Sequence, residues 1–229
     1  MPYIESKNLL FVHIPKNAGK SVEIALGLSD SRRLNRLGSR SLFSRASKLL
    51  LNISANREAR RTLHGTIDVS LCAQHLTLQE MELLNLIPCG ESNMLRSFAI
   101  CRNPWDRATS TYRHFASETE HTKEGFQEFC KNWYSLDSGS HNQLAHKRQQ
   151  IDFILNCRGD LGVDRVLRFE SLASDFSNMC EEWGLGEISL PHAGKQTDSS
   201  DYRDLYTGVS REMIESMYKD DIEFFDYSF

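Results

Sequence analysis

Apolar residues in this chain occur in two patterns. Short unbroken blocks, Leu9-Leu10-Phe11-Val12 and Phe98-Ala99-Ile100-Cys101, with a shorter Val166-Leu167, are bounded by polar residues. Such runs fit strands buried on both faces. Between them apolar positions recur at helical spacing, as in Leu78, Met81, Leu83 and Leu84. The pattern predicts strands over 8–14, 95–101 and 164–168. It predicts helices over 19–28, 77–86, 104–117, 123–134, 141–157, 171–183 and 210–220. Strands alternating with helices predict an α/β fold, a central parallel sheet flanked by helices in three layers. In such folds ligands lie at the carboxyl ends of the strands. The order of strands is left open, and no internal repeat is visible.

Two of these strands run into turns of unusual chemistry. After Val12 comes His13-Ile14-Pro15-Lys16-Asn17-Ala18-Gly19-Lys20-Ser21. Pro15 stops the strand, because proline cannot donate to a ladder. Gly19 lets backbone approach a ligand, and the first turn of the following helix offers unpaired N–H groups to an anion. Lys16 and Lys20 add cations and Ser21 a hydroxyl, which makes the turn a P-loop-like anion cradle. It is not a Walker A loop, since the first glycine of that motif falls on Ile14. The second turn is Arg102-Asn103-Pro104-Trp105-Asp106-Arg107 with Ser110 and Tyr112. A triphosphatase needs an acid at such a strand end to hold magnesium. Arg102 suits a phosphate instead, through a bidentate fork, with Ser110 converging about two turns into the helix. Two anion turns imply a ligand with phosphates at two ends.

At these residues the chain resembles the sulfotransferases. Pro15 to Ser21 is similar to their 5′-phosphosulfate loop, and Arg102 to Arg107 with Ser110 and Tyr112 to their 3′-phosphate motif. Gln74-His75-Leu76-Thr77, Val166 to Leu172, Leu190-Pro191-His192 with Lys195, Tyr202 to Tyr206, and Tyr218 to Phe229 resemble further segments of the carbohydrate-acting members. The likeness touches most of the chain outside 29–63. It implies 3′-phosphoadenosine 5′-phosphosulfate (PAPS) as sulfuryl donor, 3′-phosphoadenosine 5′-phosphate (PAP) as product, and no required metal. The acceptor it implies is a hydroxyl, with a carbohydrate as first expectation. By motif position, Lys16 would contact the sulfuryl group and bridging oxygen. The N–H groups of Asn17, Ala18, Gly19, Lys20 and Ser21 would cradle the 5′-phosphate. Arg102 and Ser110 would bind the 3′-phosphate, Lys195 would close over the nucleotide, and His75 would be the general base. Lys20 departs from the small hydroxyl residue more usual there.

Each residue has a plainer alternative. Lys16 and Lys20 also fit surface lysines at a helix start, and Arg102 and Arg107 fit structural ion pairs, the preferred reading for Arg107. His75 also fits a cap for the helix beginning near Thr77. His13 and His64 are competing histidines, with His13 expected to be packed, and His192 and Lys195 also fit a solvated loop. At the level of function the alternatives are an ATP-dependent P-loop kinase and a non-catalytic nucleotide-binding module.

Composition bounds the picture without changing it. A chain of 229 residues with 40% hydrophobic and 25% charged content fits one soluble globular domain spanning 1–229. The net charge of −4 argues against general nucleic-acid binding. The six cysteines are scattered without a CxxC pair, as in a reducing compartment. No apolar run reaches membrane-spanning length and no leader pattern is present, so a soluble, cytoplasmic protein is expected. The segment 31–63 carries nine basic residues against Glu58, a net +8 that leaves −12 on the remainder. It reads either as a solvated basic face or as a lid that attracts an anionic substrate. Such steering weakens with salt.

Overall fold

The computed structural model describes residues 3–4, 7–27, 75–83, 95–116, 121–134, 141–191 and 201–229. The basic segment 31–63, His64, His192 and Lys195 lie outside the described residues.

β1 (Tyr3–Ile4) pairs antiparallel with β2 (Leu9–Val12), which pairs in parallel with β3 (Arg96–Cys101), which in turn pairs in parallel with β4 (Arg165–Arg168). The sheet order β1-β2-β3-β4 supplies the order that the sequence left open. In register, Phe11 faces Phe98 and Val12 faces Ala99, while Cys101 faces Arg168. The carboxyl ends of β2 and β3, and the two polar turns that follow them, therefore emerge side by side.

The helices are α1 (Gly19–Ala25), α2 (Leu78–Leu83), α3 (Pro104–Phe115), α4 (Lys123–Tyr134) and α5 (His141–Lys147). They continue with α6 (Ile151–Ile154), α7 (Leu172–Glu182), α8 (Gly208–Met217) and α9 (Lys219–Phe225). Side chains alternate across the sheet, so each strand feeds two cores. On one face Leu9, Phe11, Phe98, Ile100 and Leu167 pack against Val22 of α1 and Leu172, Phe176 and Met179 of α7. On the other, Leu10, Val12, Ala99 and Cys101 pack against Met81 of α2, Ala145 of α5, Phe153 and Ile154 of α6 and Phe225 of α9. The result is the expected layering of helices around a central sheet. A third core joins α3, α4 and α8 through Trp105, Tyr112, Phe126, Ile214 and Tyr218. Each fully buried side chain of this size contributes about 1.5–3 kcal/mol.

Helix starts follow local chemistry. Asn103 caps α3 by accepting from Trp105 N at 3.0 Å, with Pro104 in the first turn. Thr77 and Glu80 form a reciprocal capping box on α2: Glu80 N donates to Thr77 Oγ1 at 3.1 Å and Thr77 N to Glu80 Oε2 at 2.8 Å. Thr207 and Ser210 do the same for α8.

Several boundaries differ from expectation. The first strand ends at Val12 and the first helix at Ala25. The third strand opens into a 3₁₀ turn, Phe169–Ser171, before α7. The edge strand β1 and the closing helix α9 are additions. The single helix expected over 141–157 is broken at 148–150. There the backbone N–H groups of Gln150 and Ile151 leave the helical ladder and donate to the two carboxylate oxygens of Asp221, each at 2.8 Å. The carbonyls exposed by the break are collected by Arg107, which donates to Arg148 O at 2.9 Å and His146 O at 3.5 Å. The same guanidinium reaches Pro15 O at 3.2 Å. Arg107 is thus structural, as preferred, and acts as a buried clamp on carbonyls, with no salt bridge to an acid among the described residues.

Candidate active site

The first turn holds a tight, partly left-handed backbone. Lys16 has φ 70° and Ala18 φ 59°, a conformation uncommon for residues with a Cβ. Alternation of this kind turns successive N–H groups toward one concavity, which favours an anion. Ala18 is the cap of α1, with its carbonyl accepting from Ser21 N at 2.9 Å. Gly19 is required by its neighbour: a Cβ there would lie 1.8 Å from His13 Nε2. His13 is itself buried and paired through Nδ1 with Glu23 Oε1 at 2.8 Å, so the expectation that it is packed holds. Ser21 is buried in the first turn of α1, and the Lys20 side chain is exposed.

Lys16 is half-buried beside a second cation. Burial, then the Arg102 guanidinium, lowers its pKa from 10.5 to about 8. Arg102 donates through Nη1 to Lys16 O at 2.8 Å and through Nε to Asp106 Oδ2 at 2.8 Å. It also stacks over Phe169, with Cζ 4.0 Å from the ring centroid. Its Nη2 makes no hydrogen bond among the described residues. Residues 106 and 110 are four apart on α3, so Ser110 follows Asp106 on the same stripe of the helix. With Nε on Asp106 and Nη1 on Lys16 O, the bidentate fork expected of Arg102 is already partly committed to the protein.

The Asn17 side chain does not face the concavity. It is buried, and Nδ2 donates to Ile100 O at 2.6 Å and to Gln150 Oε1 at 2.7 Å. Its contribution to an anion site is its backbone.

His75 lies beside the loop. Its Nδ1 is 3.2 Å from His13 O. A carbonyl only accepts, so Nδ1 carries the proton of the neutral ring and Nε2 carries the lone pair. The ring packs edge-on to His13 at 4.6 Å and to His146 at 5.7 Å. The capping alternative falls away, because Thr77 and Glu80 serve that helix start.

Two histidines that the sequence reading missed complete this wall. His146 stacks on His114 with centroids 5.7 Å apart. Nδ1 of His146 donates to Asn142 O at 2.7 Å, one helical turn back. Burial drives the His146 pKa down to about 3, with Arg107, Lys16 and His114 acting in the same direction. Burial and then Lys16 lower that of His114. No spacing motif links 75, 114 and 146; only the fold assembles them. Gln150 and Glu170 were missed for the same reason. Glu170 Oε1 accepts from Asn103 N at 2.7 Å, fixing the second turn to the segment after β4.

The buried neutral His146 has a consequence for stability. Its folded pKa is depressed, so between about pH 6.5 and 3 the unfolded chain binds the extra proton and acid favours unfolding. At about 1.4 kcal/mol per pH unit, His146 alone removes about 2 kcal/mol between pH 7 and 5. Urea unfolding at the two pH values, on wild type and His146→Asn, checks this. The acid loss is expected to shrink in the variant, and an equal loss in both would contradict the assignment.

Among the described residues no group of three or more His, Cys, Asp or Glu side chains could hold a metal ion. Among the same residues no helix is long and apolar enough to cross a membrane. Compared with models of protein families, the chain matches that of the sulfotransferase family over residues 3–228. A search of curated proteins returns no match.

Proposed function

The chain belongs to the sulfotransferase family and is a sulfotransferase, and from that premise we propose that it moves the sulfuryl group of PAPS to an acceptor hydroxyl, that of a carbohydrate first. The observation that carries this reading is the direct joining of the two anion turns, through Arg102 Nη1 and Lys16 O at 2.8 Å. A donor with a phosphate at the 5′ position and another at the 3′ position needs two such sites at fixed spacing. The donor set fits: one cradle has a half-buried lysine, a left-handed backbone and a glycine, and the other has an arginine and a helix hydroxyl. The family match over 3–228 also supports reading 1–229 as one domain.

When bound, PAPS supplies an activated sulfuryl group on a phosphate leaving group. The backbone N–H groups from Asn17 to Ser21, with the Ser21 hydroxyl, hold the 5′-phosphate. Lys16 stabilises the negative charge that grows on the bridging oxygen as the bond to sulfur breaks, where a preorganised cation is worth most. Arg102, through its Nη2 end, and Ser110 hold the 3′-phosphate. Lys195 closing over the nucleotide rests on the resemblance alone. His75 receives the acceptor hydroxyl proton on Nε2, the ring nitrogen that carries the lone pair when Nδ1–H donates to His13 O. Sulfuryl transfer resembles phosphoryl transfer in being mostly positioning and charge stabilisation, and these residues provide both.

The test is release of PAP from PAPS, followed with saccharide, phenolic and tyrosyl-peptide acceptors in the presence of EDTA. Acceptor-dependent release is expected. Magnesium-dependent conversion of ATP to ADP without PAP release would favour the kinase, and PAP binding without turnover would favour a non-catalytic module. In the same assay kcat/KM for PAPS is expected to fall above about pH 8, where Lys16 loses its proton in the free enzyme. In Lys16→Arg that limb moves out of range, because guanidinium stays charged. An unmoved limb would contradict the role of Lys16.

A further inference from the structure

Gln150 occupies a singular position. It is fully buried at the break between α5 and α6. Its amide grips the backbone of Arg102 from both sides, accepting from Arg102 N and donating to Arg102 O, each at 2.9 Å. The same Oε1 accepts from Asn17 Nδ2 at 2.7 Å. Its own backbone N–H is fixed by Asp221 Oδ2 at 2.8 Å. One side chain therefore touches the turn after β2 and the turn after β3, and it is braced from behind by α9.

We infer that Gln150 is a positioning residue that sets the spacing between the 5′-phosphate loop and Arg102, and thereby determines selectivity for a 3′-phosphorylated donor. The inference rests on the reading of the two turns as the 5′ and 3′ sites. The geometry explains why an amide serves here. One oxygen accepts from two donors on different turns while the nitrogen satisfies a carbonyl on one of them; an ionised carboxylate has no donor for the carbonyl, and a hydroxyl has no second atom to reach it. Arg102 and Lys16 carry the charge. Gln150 touches neither phosphate site with a charge of its own, and its effect is to hold Arg102 at the start of α3 where the guanidinium spans Lys16 O and Asp106. Asp221 belongs to the same brace, since its two oxygens fix both Gln150 N and Ile151 N. Without the brace the 5′ loop keeps its own left-handed turns and glycine, whereas the position of Arg102 relative to that loop is no longer defined.

The experiment compares dissociation constants for PAP and for adenosine 5′-phosphate, two ligands that differ only in the 3′-phosphate. They are measured on the full chain for wild type, Gln150→Met and Gln150→Glu, with thermal unfolding as a control. Methionine keeps the volume and loses all three bonds of the amide. Glutamate keeps the two accepted bonds and loses the donated one. The ratio of the two constants is expected to fall about tenfold in Gln150→Met and by less in Gln150→Glu, through loss of affinity for PAP rather than for the monophosphate. A general loosening of the fold would weaken both ligands alike and leave the ratio unchanged, and that outcome overturns the inference. If Gln150→Met fails to fold, an unchanged ratio in folded Gln150→Glu overturns it equally. Failure of the underlying reading looks different: wild type itself would then show no preference for PAP.

Discussion

Replacing His75 with alanine is expected to slow sulfuryl transfer by about 10²- to 10⁴-fold, the usual contribution of a positioned general base. PAP affinity is expected to stay within about twofold of wild type, because in the proposed role the imidazole acts on the acceptor and not on the nucleotide. His75 Nδ1 is committed to His13 O at 3.2 Å, which leaves Nε2 as the basic nitrogen. The ring is held between His13 and His146, so it is presented in one orientation beside the loop that carries Lys16. The companion histidine is not an equivalent base. Burial keeps His146 neutral down to about pH 3, and a group so weakly basic takes a proton poorly at neutral pH. Single-turnover rates and PAP titration on His75→Ala separate the two effects. Loss of PAP binding in parallel with rate would mean that His75 supports the loop rather than the chemistry.

Replacing Arg102 with alanine is expected to weaken PAP binding by about 10- to 100-fold, the range for lost hydrogen bonds to a charged group. The larger end is favoured by what the arginine leaves behind. Asp106 loses its ion-pair partner at 2.8 Å and becomes an uncompensated negative charge on the stripe of α3 that carries Ser110. Lys16 O loses its donor at the same time. Arg102→Lys is not expected to rescue, because one ammonium cannot span Asp106, Lys16 O and a phosphate as a planar guanidinium does. Calorimetry on both variants checks this. Wild-type affinity in Arg102→Ala would remove Arg102 from the cofactor site.

Much of this arrangement is legible in the sequence, and the limits have physical causes. Leu9 to Val12 and Phe98 to Cys101 announce buried strands because both faces of a parallel sheet are covered, which forbids polar alternation. The turns after them are legible because anion chemistry needs glycine, lysine, arginine and hydroxyl groups close together in sequence. The histidine wall was only partly legible. His75 in the turn before α2 meets His146 of α5, on which His114 of α3 stacks, and no local spacing encodes that. Gln150 was illegible for a stronger reason, since its partners Asn17, Arg102 and Asp221 are all distant in sequence. The break at 148–150 was missed with it. Helical propensity is local, while the groups that draw backbone out of the ladder there, Asp221 and Arg107, arrive from α9 and α3. Arg107 shows the same limit, because a buried arginine that satisfies carbonyls looks in sequence like one that pairs with an acid.

If the two joined anion turns recognise a nucleotide phosphorylated at both its 5′ and 3′ positions, calorimetric titration of the wild-type protein reads that selectivity without a variant. PAP is titrated without metal, beside adenosine 5′-phosphate and ATP with magnesium. Metal-independent binding of PAP is expected, well above that of the monophosphate and of ATP. Magnesium-dependent binding of ATP, with PAP no better than the monophosphate, would contradict it.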